Sequence, residues 1–124
     1  MFQYIKKRLR SFKFAFHGIV TLFRETDNAK IHLFAAVVAS GCGVWLRITR
    51  EEWLAVIIVI GCVLAAEAIN SAVEELSDFA CKKGRHPAIK KVKDLSAGAV
   101  LITALAALAV GMLVFLPKII ALCS

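Results

Sequence analysis

Apolar residues recur at helical spacing through the first 24 positions and then gather into three long runs. Ile5, Leu9, Phe12, Phe16, Ile19 and Phe23 share one narrow helical face, and Lys6, Arg10, Lys13, His17 and Arg24 cluster beside it. This predicts an amphipathic helix over residues 1–24 lying in the interface of an anionic bilayer. The plainer reading, a surface helix packed on a soluble core, is disfavoured because the chain offers no soluble core. The apolar runs cover residues 31–46, 53–78 and 95–116 and predict three spanning helices. The expected fold is an all-α integral membrane protein: a single membrane domain over residues 1–124, with an interfacial helix followed by three transmembrane helices.

Between the interfacial helix and the first span, Glu25, Thr26, Asp27 and Asn28 predict a break, with Asp27 or Asn28 capping the next helix. The first span is short, about 24 Å at 1.5 Å per residue. Its Ala35, Ala39, Gly41 and Gly43 suit close contact with another helix. His32, near its start, reads as a hydrogen-bonded structural histidine. Residues 47–52 predict a tight outer turn flanked by Trp45 and Trp53 as an aromatic belt. The third span is alanine-rich and uncharged, and Pro117 is expected to end it, leaving a short outer tail.

Composition sharpens this picture. The 124 residues are 60% hydrophobic yet carry a formal net charge of +7, a pairing that argues against an ordinary soluble domain. Of the 16 Lys and Arg, only Arg47, Arg50 and Lys118 lie outside the segments before the first span and after the second. Such a bias places the N-terminus and the loop after the second span in the cytoplasm, and residues 47–52 and the C-terminus outside. The basic residues thus flank membrane spans, and no nucleic-acid partner is expected. No cleavable secretory signal is expected either, since the basic N-terminal stretch is amphipathic throughout. Cys42, Cys62, Cys81 and Cys123 are isolated and read as apolar filler thiols.

The second run carries the candidate chemistry. At 100° per residue, Glu67, Asn70, Ser71, Glu74 and Asp78 fall on a stripe about 100° wide. One polar seam therefore runs down an apolar rod, with Glu67 and Glu74 about 10 Å apart along it. That reach can span a polyphosphate, its metal and an acceptor hydroxyl. Glu67 lies deepest, and an acid withdrawn from water accepts a proton more readily than an exposed one. A purely structural carboxylate is the bland alternative, but acids inside a membrane are costly and more often functional. Asn70 could orient Glu67 or a phosphate, whereas Asp78 and Glu75 could be simple boundary charges. Glu74 is the best-placed ligand for magnesium, which takes one or two carboxylates together with phosphates and water.

A basic segment follows the seam: Lys82, Lys83, Arg85 and His86, then Lys90, Lys91 and Lys93 ahead of Asp94. No glycine-rich phosphate loop is present, so phosphate donors must come from Lys93, Lys90, Arg85 and the free N–H groups at the start of the third span, with Asp94 as its expected N-cap. Lys82, Lys83 and Lys91 read as solvated charges of a cytoplasmic loop.

The string Glu67-x-x-Asn70-Ser71-Ala72-Val73-Glu74-x-x-Ser77-Asp78, followed by His86 and Lys93-Asp94, resembles the signature of the small prokaryotic diacylglycerol kinase and undecaprenol kinase family. The resemblance implies a bacterial inner-membrane lipid kinase that transfers the γ-phosphoryl group of ATP, with Mg2+, to a lipid alcohol, either diacylglycerol or undecaprenol. It implies Glu67 as general base, and Glu74 with a second carboxylate from the break, Glu25, as metal ligands. ATP would be held by Glu25, Glu74, Arg85, His86, Lys93 and Asp94, with Asn70 and Asp78 in support. A homotrimer with shared sites is also implied. Two departures mark this chain. Counted back from Asn28 and His32, the family's glutamate falls at Thr26, one place after Glu25; and His32 stands where one branch carries an acid, leaning towards the undecaprenol-type branch. The alternative outside the family is a small proton- or cation-coupled transporter with Glu67 and Asn70 lining its pathway. A third reading is a non-enzymatic protein that recruits anionic lipid.

Overall fold

The computed structural model describes residues 1–82 and 84–124, so Lys83, read above as a solvated loop charge, lies outside the described residues. Four helices follow one another: α1 Phe2–Glu25, α2 Asp27–Leu46, α3 Arg50–Cys81 and α4 Pro87–Cys123. No strand occurs among the described residues. The last three are long and apolar enough to cross a membrane. With 32 and 37 residues, α3 and α4 measure about 48 and 55 Å, well beyond a hydrocarbon core of about 30 Å. The end of α3 and the start of α4 therefore stand clear of the apolar region, and that is where the polar seam emerges.

The helices exceed their expected ranges at several ends. The break between α1 and α2 is one residue, Thr26, in an extended conformation. Neither Asp27 nor Asn28 caps α2: Asp27 is its first residue and pairs with Lys30 at 3.5 Å, and Thr26 occupies the capping position without a side-chain cap bond. Asp94 is not a cap either. α4 starts two turns earlier, where Pro87 fits the first helical turn and His86 Nδ1 accepts a hydrogen bond from the Ala88 N–H at 3.1 Å. Pro117 lies inside α4, which continues to Cys123 in place of an outer tail. Proline forfeits one backbone hydrogen bond, but unwinding the chain in apolar surroundings would strand several more. Lys118, one residue on, reaches Glu52 of α3 at 3.2 Å and ties the continued helix down.

Packing is tightest around the turn between α2 and α3. Ile48, Val56 and Val114 form a small buried cluster, flanked by Trp53, Ile60, Val110 and Phe115. The turn between α2 and α3 is fixed by Arg47 in the left-handed conformation, φ 52°, and by a reciprocal capping box in which Thr49 N–H donates to Glu52 and Glu52 N–H donates to Thr49. Trp53 does not face lipid as the belt reading expected. Its ring lies on Gly43, where a Cβ would stand 2.8 Å from the indole, while Trp45 is exposed. Gly43 is thus the close-approach residue that joins α2 to α3.

α3 and α4 form the main helix pair, and α1 folds back beside α2 and α3. Large apolar side chains such as Phe34, Ile58, Leu101 and Leu113 remain exposed on the outside of the bundle. That is the surface a lipid-embedded protein presents.

Candidate active site

The seam on α3 meets the end of α1 and the start of α2 in a groove of about 940 Å³. Glu25, Glu67, Asn70, Glu74 and Asp78 all line it, so the structure gathers five of the predicted site residues at one place. Period alone put four of them on one face of α3. Glu25 arrives because α1 turns back at Thr26, whose hydroxyl lies 3.1 Å from that of Ser71. This hydroxyl pair pins the break to the seam. Thr26 therefore occupies the inward position where the family pattern carries a glutamate, and Glu25 reaches the groove from the preceding residue. Glu75, read as a boundary charge, also lines the groove.

Glu67 is 1% exposed, the most deeply enclosed large side chain of the chain's described part. Both of its carboxylate oxygens, and Asn70 Oδ1 one turn along, are buried without a hydrogen-bond partner. His32 Nε2 of α2 lies 3.1 Å from Glu67 Oε1, within ion-pair distance, but its ring N–H is not aimed to make a hydrogen bond. Sequence reading missed this neighbour: His32 looked like a self-contained structural histidine, and no spacing within one helix reveals a contact made across two. Three unpartnered oxygens at the end of a groove form an acceptor-only site, and burying them without a donor is costly unless a ligand supplies one.

The basic segment is divided. Lys93, two residues ahead of the apolar stretch of α4, donates to Asp78 Oδ1 at 2.7 Å, and this bond to Asp78 raises the lysine's pKa above its ordinary value. Lys93 is thereby held charged at the mouth of the groove. Asp94 is paired with Lys90 at 2.6 Å and faces a second, shallower groove beside Pro87, Lys91 and Gly98. Arg85 and His86 are exposed in the connection between α3 and α4. Arg85, His86, Lys93 and Asp94 are thus near the Asp78 end of the seam but do not line its main groove.

A separate, wholly different space lies within the spans. Side chains of α2, α3 and α4, among them Ala35, Ala39, Val63, Leu64, Ala104 and Ala107, line a partly open apolar cavity of about 290 Å³ that ends at His32.

Comparison with known proteins gives consistent results. The family model for prokaryotic diacylglycerol kinase matches residues 13–115. Undecaprenol kinase from Bacillus subtilis is 33% identical over 115 residues, covering 93% of this chain and 93% of that protein. Diacylglycerol kinase from Synechocystis sp. is 33% identical over 115 residues, covering 92% of this chain and 65% of that relative, which is the longer protein.

Proposed function

The chain belongs to the prokaryotic diacylglycerol kinase family and is a membrane lipid kinase; we propose that it transfers the γ-phosphoryl group of ATP to a lipid hydroxyl at the α3 seam. The observation that carries this reading is the buried, donor-less Glu67 in a groove that Glu74 and Asp78 also line, with Lys93 bonded to Asp78 beside it. Glu67 accepts the proton of the lipid hydroxyl as its oxygen bonds to the γ-phosphorus, and the electrons of the breaking P–O bond leave with ADP. Asn70, one turn along α3, orients Glu67 or a phosphate oxygen by donating from its amide N–H. Lys93 exchanges its Asp78 partner for a phosphate oxygen, and Arg85, His86 and Asp94 hold the nucleotide's cytoplasmic end. His86 remains suited to this because capping occupies only its Nδ1.

Among the described residues no group of three or more His, Cys, Asp or Glu forms a ready-made metal site. Glu74 and Glu25 nevertheless offer hard oxygen donors to one groove, and two carboxylates are a donor set that suits magnesium completed by phosphate and water. Bound there, Mg2+ would neutralise charge on the β and γ phosphates. Glu25 and Glu74 would hold it, leaving Glu67 free as base.

The homotrimer with shared sites belongs to this proposal. It is supported by the groove, which a single chain leaves open. Transport is less well supported, since Thr103, the polar side chain of residues 99–116, bonds back to the Val100 carbonyl at 2.8 Å instead of lining a path.

Labelled phosphate from ATP should appear in diacylglycerol or undecaprenol when purified protein is offered each in mixed micelles. Whichever lipid is labelled identifies the acceptor; transfer to neither contradicts the reading. The cytoplasmic N-terminus rests on the cation distribution, and placement in a bacterial inner membrane on the family. In a background lacking the four native cysteines, a cysteine at position 85 should react from the cytoplasm and one at position 49 from outside. The reverse labelling would put the groove on the side without ATP.

A further inference from the structure

His32 stands between two spaces of opposite character. On one side it bounds the apolar cavity, and on the other its Nε2 lies 3.1 Å from Oε1 of Glu67, which lines the polar groove. His32 lines only the cavity and Glu67 only the groove, so the pair lies between the two spaces. The contact is close but misaligned, and both Glu67 oxygens lack a hydrogen bond. A carboxylate without a donor turns readily about its last torsion, which is broad and roughly two-fold. A base in that condition is poorly aimed.

We propose that His32 is a positioning residue for Glu67. With its ring turned so that Nε2–H donates to Oε1, the carboxylate is fixed and Oε2 faces the acceptor hydroxyl. The cavity beside the ring leaves space for that turn. Hydrogen bonds that are loose in a ligand-free site commonly tighten in the reacting complex. His32 touches neither phosphate nor metal in this arrangement; it acts through Glu67 alone, and the inference rests on the assignment of Glu67 as base.

The test is steady-state transfer in mixed micelles by His32→Leu, His32→Phe and His32→Gln, with Glu67→Gln alongside. A small misplacement of a reacting group costs up to about 10²-fold. His32→Leu and His32→Phe, which lack a donor, should lower kcat by about 10- to 100-fold while KM for ATP stays within about twofold. His32→Gln carries an N–H near the same place and should recover most of the rate. A merely structural histidine would not divide its substitutes by donor. Phe retains ring volume, so the comparison stands even if Leu loosens the bundle. Retention of kcat by both donor-less variants, or a Gln variant as slow as Phe, overturns the proposal. If Glu67→Gln is inactive while His32→Phe is unimpaired, only the positioning role fails; if Glu67→Gln itself turns over normally, the base assignment fails and the positioning role with it.

Discussion

Replacing Glu67 by Gln should abolish phosphoryl transfer while leaving nucleotide affinity nearly intact. The amide keeps the size and shape of the side chain, so the groove is preserved, but it cannot take up the proton of the acceptor hydroxyl. Loss of a general base costs typically about 10²–10⁴ in rate. ATP affinity is set at the other end of the seam, by groups about 10 Å or more away along the helix. The amide also brings a donor of its own beside Asn70 Oδ1, which has none, so the variant should fold at least as well as the parent. Turnover above a third of wild type at saturating lipid would make Glu67 a structural carboxylate.

The second large effect concerns the acids at the break. Glu25→Gln and Glu74→Gln should each raise the magnesium concentration needed for half-maximal rate and slow transfer as well, because each removes a charged oxygen ligand from an ion that the protein holds by few. Asp27 is the competitor for Glu25. Both acids line the groove, but the Asp27 side chain is 93% exposed and paired with Lys30, whereas Glu25 enters from the last turn of α1 with no ion pair among the described residues. Asp27→Asn should therefore leave the magnesium requirement near that of wild type. Should Asp27→Asn raise it and Glu25→Gln not, Asp27 is the ligand and the one-residue slip at Thr26 is resolved in the other direction.

The parts legible in the sequence were those governed by period within one helix. The amphipathic face of α1 and the register of Glu67, Asn70, Ser71, Glu74 and Asp78 needed only 100° per residue, and both are present in the structure. Helix ends were harder. Pro117 and Asp94 each carry a strong local end signal, yet the helix passes through both, because lipid offers the freed backbone groups no water and because Lys118 and Lys90 find carboxylates on the continued helix or its neighbour. Contacts between helices were legible only as small residues suited to close approach, Gly43 among them; the partners they meet were not. Trp53 on Gly43, Thr26 on Ser71 and His32 on Glu67 depend on how α1, α2 and α3 lie together. No spacing encodes that arrangement.

The central claim is that two acids of one seam, seven residues apart, do different work: Glu67 takes a proton and Glu74 holds magnesium. Single-turnover transfer by Glu67→Gln and Glu74→Gln, measured side by side as magnesium is raised, tests this directly. High magnesium should restore a substantial part of the rate to Glu74→Gln, by refilling a weakened site, and should leave Glu67→Gln at its floor. Recovery of Glu67→Gln in parallel with Glu74→Gln would contradict the account, because both acids would then be serving the metal.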